Sequence, residues 1–126
     1  SEGQVRGFKG DIIPPDNWKY FNCECKNYAD FPFHHFLHNK KIPLLEGWIN
    51  QTMEIAEEGD VNILFMKFSR KGTYVAFQEI LLNKGWRSPV HVKYNSEKYG
   101  TWIVTSTEEF WSYNTERFEY HCISGI

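Results

Sequence analysis

The alternation Phe21-Asn22-Cys23-Glu24-Cys25-Lys26 restricts the fold more than any other stretch of the chain. Successive side chains of a strand face opposite ways, so a strand over residues 18–27 puts Phe21, Cys23 and Cys25 on one face and Asn22, Glu24 and Lys26 on the other. Gly10-Asp11-Ile12-Ile13 lies in a further strand expected over residues 6–13, and Pro14-Pro15-Asp16-Asn17 supplies the turn between the two. The resulting hairpin sets Asp11 beside Glu24 and Lys26. Acids and lysines are poor strand residues, so their presence here asks for a reason.

Two neighbouring carboxylates repel unless positive charge lies between them. One reading supplies it as a divalent cation held by Asp11, Glu24 and the backbone carbonyl of Cys25. That is a hard oxygen set suited to Mg²⁺, with Mn²⁺ as a substitute, and such an ion keeps waters that a phosphate can displace. Lys26 then orients the attacking water or stabilises charge at the scissile phosphate. The other reading is a cross-strand salt bridge between Asp11 and Lys26 on a solvated face, worth under about 1 kcal/mol.

Asp11 followed by Glu24-Cys25-Lys26 on the next strand resembles the PD-(D/E)XK nuclease signature, and the Gly-Asp start with a Glu-x-Lys finish is similar to its Holliday junction resolvase branch. Gly7-Phe8-Lys9-Gly10-Asp11-Ile12-Ile13-Pro14-Pro15, with Glu24-Cys25-Lys26-Asn27-Tyr28, looks closer still to endonucleases encoded by bacteriophages. The resemblance implies an α/β, restriction-endonuclease-like fold, a mixed sheet flanked by helices. It implies Asp11 and Glu24 as metal ligands, Lys26 as the catalytic lysine, and DNA as substrate, a branched junction first. Because a junction needs two symmetric cuts, it also implies a homodimer. Related nucleases often place a helical Gln near the metal, which singles out Gln51; an exposed helix residue is the plainer alternative. Many also open with a helix that adds a Glu; only Glu2 stands as an acid before Asp11, so that first helix is expected to be missing, truncated or supplied by a partner subunit. The rival reading is a non-catalytic DNA-binding or interaction module on the same scaffold.

The 126-residue length suits one domain over residues 1–126. No apolar run approaches the roughly 18 residues of a membrane span and no signal peptide opens the chain, so a cytoplasmic location is expected, the host's if the chain is phage-encoded. Three cysteines make no disulfide framework, and Cys23 and Cys25 read as small core residues. The sharper alternative is zinc on Cys23, Cys25 and two of His34, His35 and His38, at a spacing unlike known fingers.

The net charge of −2 does not advertise nucleic-acid binding, but its distribution is uneven. Residues 61–87 carry five cations, Lys67, Arg70, Lys71, Lys84 and Arg87, against Glu79 alone. Residues 39–60 carry two cations against five acids. One phosphate-facing side would account for this, with Lys9, Lys67, Arg70 and Lys71 touching DNA and Arg6 beside them. An ordinary solvated surface would look similar, and Lys67 is alternatively a partner for Glu24 or Asp11.

Further along, His34 and His35 are placed to reach DNA or the attacking water, or else form a structural pair. A helix is expected from Pro43 to about Glu58, burying Leu45, Trp48, Ile49, Thr52 and Ala56 and leaving Glu46, Gln51, Glu54 and Glu58 outside. Strands follow over residues 61–69 and 73–77, joined at Gly72; then a turn region over 81–87, a strand over 89–94, a loop over 95–100 and a strand over 101–105. Ser106-Thr107-Glu108-Glu109 has capping-box form for a helix ending near Trp111 or Tyr113, and alternation in residues 117–121 suggests a last strand. Aromatics make up 17% of the residues; base stacking is one use for them, and core packing the commoner one.

Overall fold

The computed structural model describes the backbone of residues 21–124 and the side chains as far as residue 117. The first expected strand lies outside the described residues, and with it Glu2, Arg6, Lys9 and Asp11. The described chain forms strands β1 (Phe21–Tyr28), β2 (Val61–Phe68), β3 (Gly72–Gln78), β4 (Val92–Ser96) and β5 (Gly100–Ser106). Helices α1 (Pro43–Glu54) and α2 (Thr107–Ser124) flank them, with 3-10 helices at Phe33–His38 and Glu79–Lys84.

The sheet runs β1-β2-β3-β5-β4, parallel between β1 and β2 and antiparallel elsewhere. A parallel pair cannot be closed by a tight turn, and the crossover here carries α1 back over β1 and β2. On the other face α2 covers β3 and β5. Both sides of the central strands are therefore buried, which is why β2 is apolar almost throughout and does not alternate.

Two clusters make the core. On the α2 side Phe21, Cys23 and Cys25 pack with Ile63, Phe65, Phe77, Trp86 and Phe110. On the α1 side Leu45, Trp48 and Ile49 pack with Leu64, Met66, Phe68 and Trp102. Each such side chain removed from water stabilises the fold by about 2 kcal/mol before entropy is counted. Most of the described aromatic rings are spent here.

Several boundaries differ from expectation. Helix α1 stops at Glu54 rather than near Glu58, because the Asp60 carboxylate takes the Glu57 amide at 2.8 Å and Gly59, at φ 88°, turns the chain. Glu46 is buried, not outside, and Ala56 falls beyond the helix. Strand β4 starts later than expected: Pro89 has no N–H for a ladder, and the strand runs on through Ser96 to a tighter turn at Gly100. The 81–87 turn begins as a 3-10 helix.

The expected last strand is helix. Ser106 Oγ accepts the Glu109 amide at 3.1 Å, which starts α2 as the capping pattern requires. Neither Gly nor Pro interrupts residues 107–124, so elongation overrides the short alternation in its second half.

Candidate active site

Residues Asn22, Glu24 and Lys26 do share one face of β1, and it is the α1 face. Their register partners Asn62, Leu64 and Met66 on β2 carry the same parity, and Leu64 and Met66 belong to the α1-side core. Residues two apart on a strand stand about 7 Å from one another, so the Glu24 carboxylate and the Lys26 ammonium are neighbours on a single surface.

That face is not solvated. Asn22 is fully buried and Glu24 is 5% exposed, while Lys26 is half-buried toward the strand end. The alternative of an Asp11–Lys26 salt bridge involves a residue outside the described ones, but the face that would carry it is buried at Glu24. Its Oε1 accepts a 3.3 Å hydrogen bond from the Cys25 amide. A carboxylate this deep persists in ionised form only with compensating donors or positive charge.

Asn22 anchors the strand beneath α1. Its Nδ2 donates to the Thr52 carbonyl at 2.8 Å and to Asn62 Oδ1 at 3.0 Å. Asn62 in turn donates to Gln78 Oε1 at 3.2 Å, so one polar row crosses β1, β2 and β3. Sequence reading placed Asn22 on the polar face but missed this row; identical register parity of Asn22, Asn62 and Gln78 was its only signal. Gln51, one residue before Thr52, is exposed and belongs to the outer side of α1, so the helical side chains that face β1 are Trp48 and Thr52.

The thiols of Cys23 and Cys25 face the opposite core, so this side of β1 offers oxygen donors only. His34 is exposed and His35 partly buried on the first 3-10 helix, their rings 4.4 Å apart. That helix leans on β2, β3 and β4 through Phe33–Phe68, Phe33–Tyr74 and Phe36–Tyr94. Burial, with His34, Lys40 and His38 nearby, lowers the His35 pKa below the usual imidazole value. Cysteines and histidines thus stay on different faces, and among the described residues no three His, Cys, Asp or Glu side chains are grouped to hold a metal. The zinc alternative has no support among the described residues.

The expected DNA contacts separate. Lys67 is exposed on β2 with the parity of Phe65, on the face opposite Glu24, which excludes the suggested pairing of those two. Lys71 is held by Asp30 at 2.7 Å, and this ammonium keeps the Asp30 pKa below its ordinary value. Arg70, exposed at the tip of the β2–β3 turn with φ 63°, has no ion-pair partner among the described residues.

A mixed sheet with a helix on either face, carrying an acid and a lysine at alternate positions of β1, defines an α/β fold of the restriction-endonuclease-like class. The chain belongs to the family described as phage putative PDDEXK endonucleases, whose model matches residues 1–120. Membership makes it a nuclease by family, with nucleic-acid phosphodiesters as substrate and divalent metals as the general cofactor of the class. No curated protein and no solved structure matches it. Among the described residues no helix is long and apolar enough to cross a membrane.

Proposed function

We propose that the chain is a Mg²⁺-dependent DNA endonuclease whose catalytic residues are Asp11, Glu24 and Lys26, with Mn²⁺ able to replace Mg²⁺. The observation that carries this reading is the placement of Glu24, buried, and Lys26, half-buried, side by side on the α1 face of β1. Carboxylate oxygens of Asp11 and Glu24 and the Cys25 carbonyl would hold the cation. When bound, the ion neutralises phosphate charge and eases deprotonation of water. Asn22, tied to Thr52 and Asn62, fixes the strand and so the direction in which Glu24 points. Glu24 is screened from solvent, which strengthens its interaction with any cation. Lys26 directs its ammonium at the phosphate oxygens, where negative charge grows as the bond to the leaving oxygen breaks.

Branched DNA is the substrate form assigned first, cut by a homodimer of the single-domain chain in the host cytoplasm; two symmetric incisions require two sites related by a two-fold axis. The deciding experiment is incubation with labelled four-way, flap, single-stranded and duplex DNA, with and without Mg²⁺ or Mn²⁺. Metal-dependent cleavage that Glu24→Gln abolishes is expected, fastest on the four-way form. Absence of cleavage on every substrate with either metal would remove the enzyme reading.

A further inference from the structure

On the other side of the sheet, the connection from the second 3-10 helix into β4 meets α2 in two adjoining clefts. The first, about 460 Å³, is lined by Gly85, Arg87, Tyr113, Glu116 and Arg117. The second, about 370 Å³, includes Ser88, and Arg87 and Tyr113 line both. None of these residues enters the site on β1.

The cleft is built rather than incidental. Asn114, fully buried on α2, accepts the Arg87 amide and donates to the Arg87 carbonyl, both at 2.8 Å. Arg87 is thereby pinned to the helix by its backbone, leaving its side chain to solvent. Gly85 sits at φ 92°, and a Cβ there would lie 2.5 Å from the Arg117 guanidinium. The missing side chain thus serves twice, for the turn and for the approach of Arg117. Among the described residues, two guanidinium groups and one acid, Glu116, line the first depression. Arg87 has no ion-pair partner among the described residues.

Ser88 gives an independent sign. It is 7% exposed, and its Oγ is buried without a hydrogen-bond partner among the described residues. A buried hydroxyl without a partner costs about 1–3 kcal/mol, and a ligand that accepts from it would remove that cost. Ser88 lines the same cleft as Arg87, and guanidinium and hydroxyl donors match the acceptor oxygens of a phosphate, which Arg binds with two parallel N–H bonds.

We propose that this double cleft binds a phosphate of a nucleic-acid strand, as an anchoring site separate from the catalytic residues. It rests on the nuclease reading only in taking the phosphate from a polynucleotide and not from free phosphate or a mononucleotide. The connection through Arg87 leads into β4, the far edge of the sheet from β1, about 19 Å away at four strand spacings. A strand held at both places is gripped several nucleotides from the bond to be cut.

The test is equilibrium binding of labelled oligonucleotides to the full chain, followed by anisotropy in chelator so that nothing is cleaved. Arg87→Glu with Arg117→Glu is expected to weaken binding at least about 10-fold and to reduce the slope of log K against log salt by about 1.4 to 1.8, the value for two phosphate contacts. Arg87→Lys with Arg117→Lys should retain most of that slope. Ser88→Ala should cost about 3-fold in affinity without lowering the melting temperature, and this variant carries the test if the double reversal fails to fold. Unchanged affinity and slope in the reversal overturn the proposal. So does a calorimetric signal for inorganic phosphate that requires Arg87 and Arg117 while oligonucleotide binding does not. If binding depends on the arginines but the chain cleaves nothing, the cleft stands and the nuclease reading falls; cleavage with arginine-independent binding is the reverse case.

Discussion

Among the described residues two carboxylates are buried on the α1 side of the sheet, to nearly the same depth, and their surroundings differ. Glu46 on α1 receives Tyr94 Oη at 2.8 Å, Ser96 Oγ at 2.7 Å and the Glu97 amide at 3.3 Å, all from β4 and the turn after it. These donors staple the helix to the far hairpin, and the exposed Lys41–Glu97 pair at 2.8 Å lies alongside. Glu24 stands instead on β1, at the opposite end of the sheet formed by the described strands, with Lys26 two residues on along the same face. Burial of an acid is therefore not by itself the mark of a site. Glu46 is closed in by hydroxyl and amide donors from β4 and its turn, whereas Glu24 shares its strand face with the Lys26 side chain two residues on.

Substitution should divide them sharply. Glu24→Gln is expected to reduce DNA cleavage by at least about 1,000-fold, equivalent to roughly 4 kcal/mol of transition-state stabilisation, while the melting temperature changes little. Lys26→Ala should lower turnover by about 100-fold or more with DNA affinity nearly unchanged, since its role belongs to the transition state; equal losses in both would assign it to binding. Glu46→Ala should do the opposite. It strands two buried hydroxyls, costs about 3 kcal/mol of stability by denaturant titration, and leaves cleavage per folded molecule intact. A Glu46 variant that folds normally but no longer cleaves would erase the distinction.

How much of this the sequence discloses depends on whether a signal is local. Strand alternation placed Phe21, Cys23 and Cys25 against Asn22, Glu24 and Lys26 correctly, because parity follows from the pleat alone. The motif was legible for the same reason. Glu46 was misassigned to the outside because its partners lie about fifty residues on, and helical periodicity sees only apolar positions. The Asn22–Asn62–Gln78 row was invisible until β1 and β2 were known to pair in parallel. The short alternation in residues 117–121 misled because helix elongation from a capped start is cooperative and a five-residue pattern is not. Asp11 lies outside the described residues, so its meeting with Glu24 remains part of the proposal and is tested by function: Mg²⁺ binding measured calorimetrically should vanish in Asp11→Ala.

The Glu46 staple also has a pH signature. Burial first, and then the hydrogen bond to Glu46, push the Tyr94 phenol up to about 12. The folded state thus holds this proton more tightly than the unfolded chain, whose phenol titrates near pH 10. Its contribution is complete below pH 10 and is lost as pH rises from there through 12. Alkaline melts should fall across that window, and Tyr94→Phe, less stable at neutral pH, should fall less steeply; parallel curves would show that the phenol is not what holds Glu46.

The smallest effect applies the same contrast to cations. Lys71 is answered by Asp30 at 2.7 Å, whereas Arg70, its neighbour in the turn, has no ion-pair partner among the described residues. An ammonium already paired gives up that pairing when it takes a phosphate, so it gains less from DNA than an unpaired guanidinium does. Arg70→Ala should therefore weaken binding a few-fold on every sequence alike and lower the salt slope by about one, with Lys71→Ala reaching less than half of that. Reversing both to Glu should flatten the salt dependence further without sequence preference. Equal slopes for the two single variants would mean that the Asp30 pair opens freely on contact with DNA, and that pairing in the free protein does not predict which cations bind.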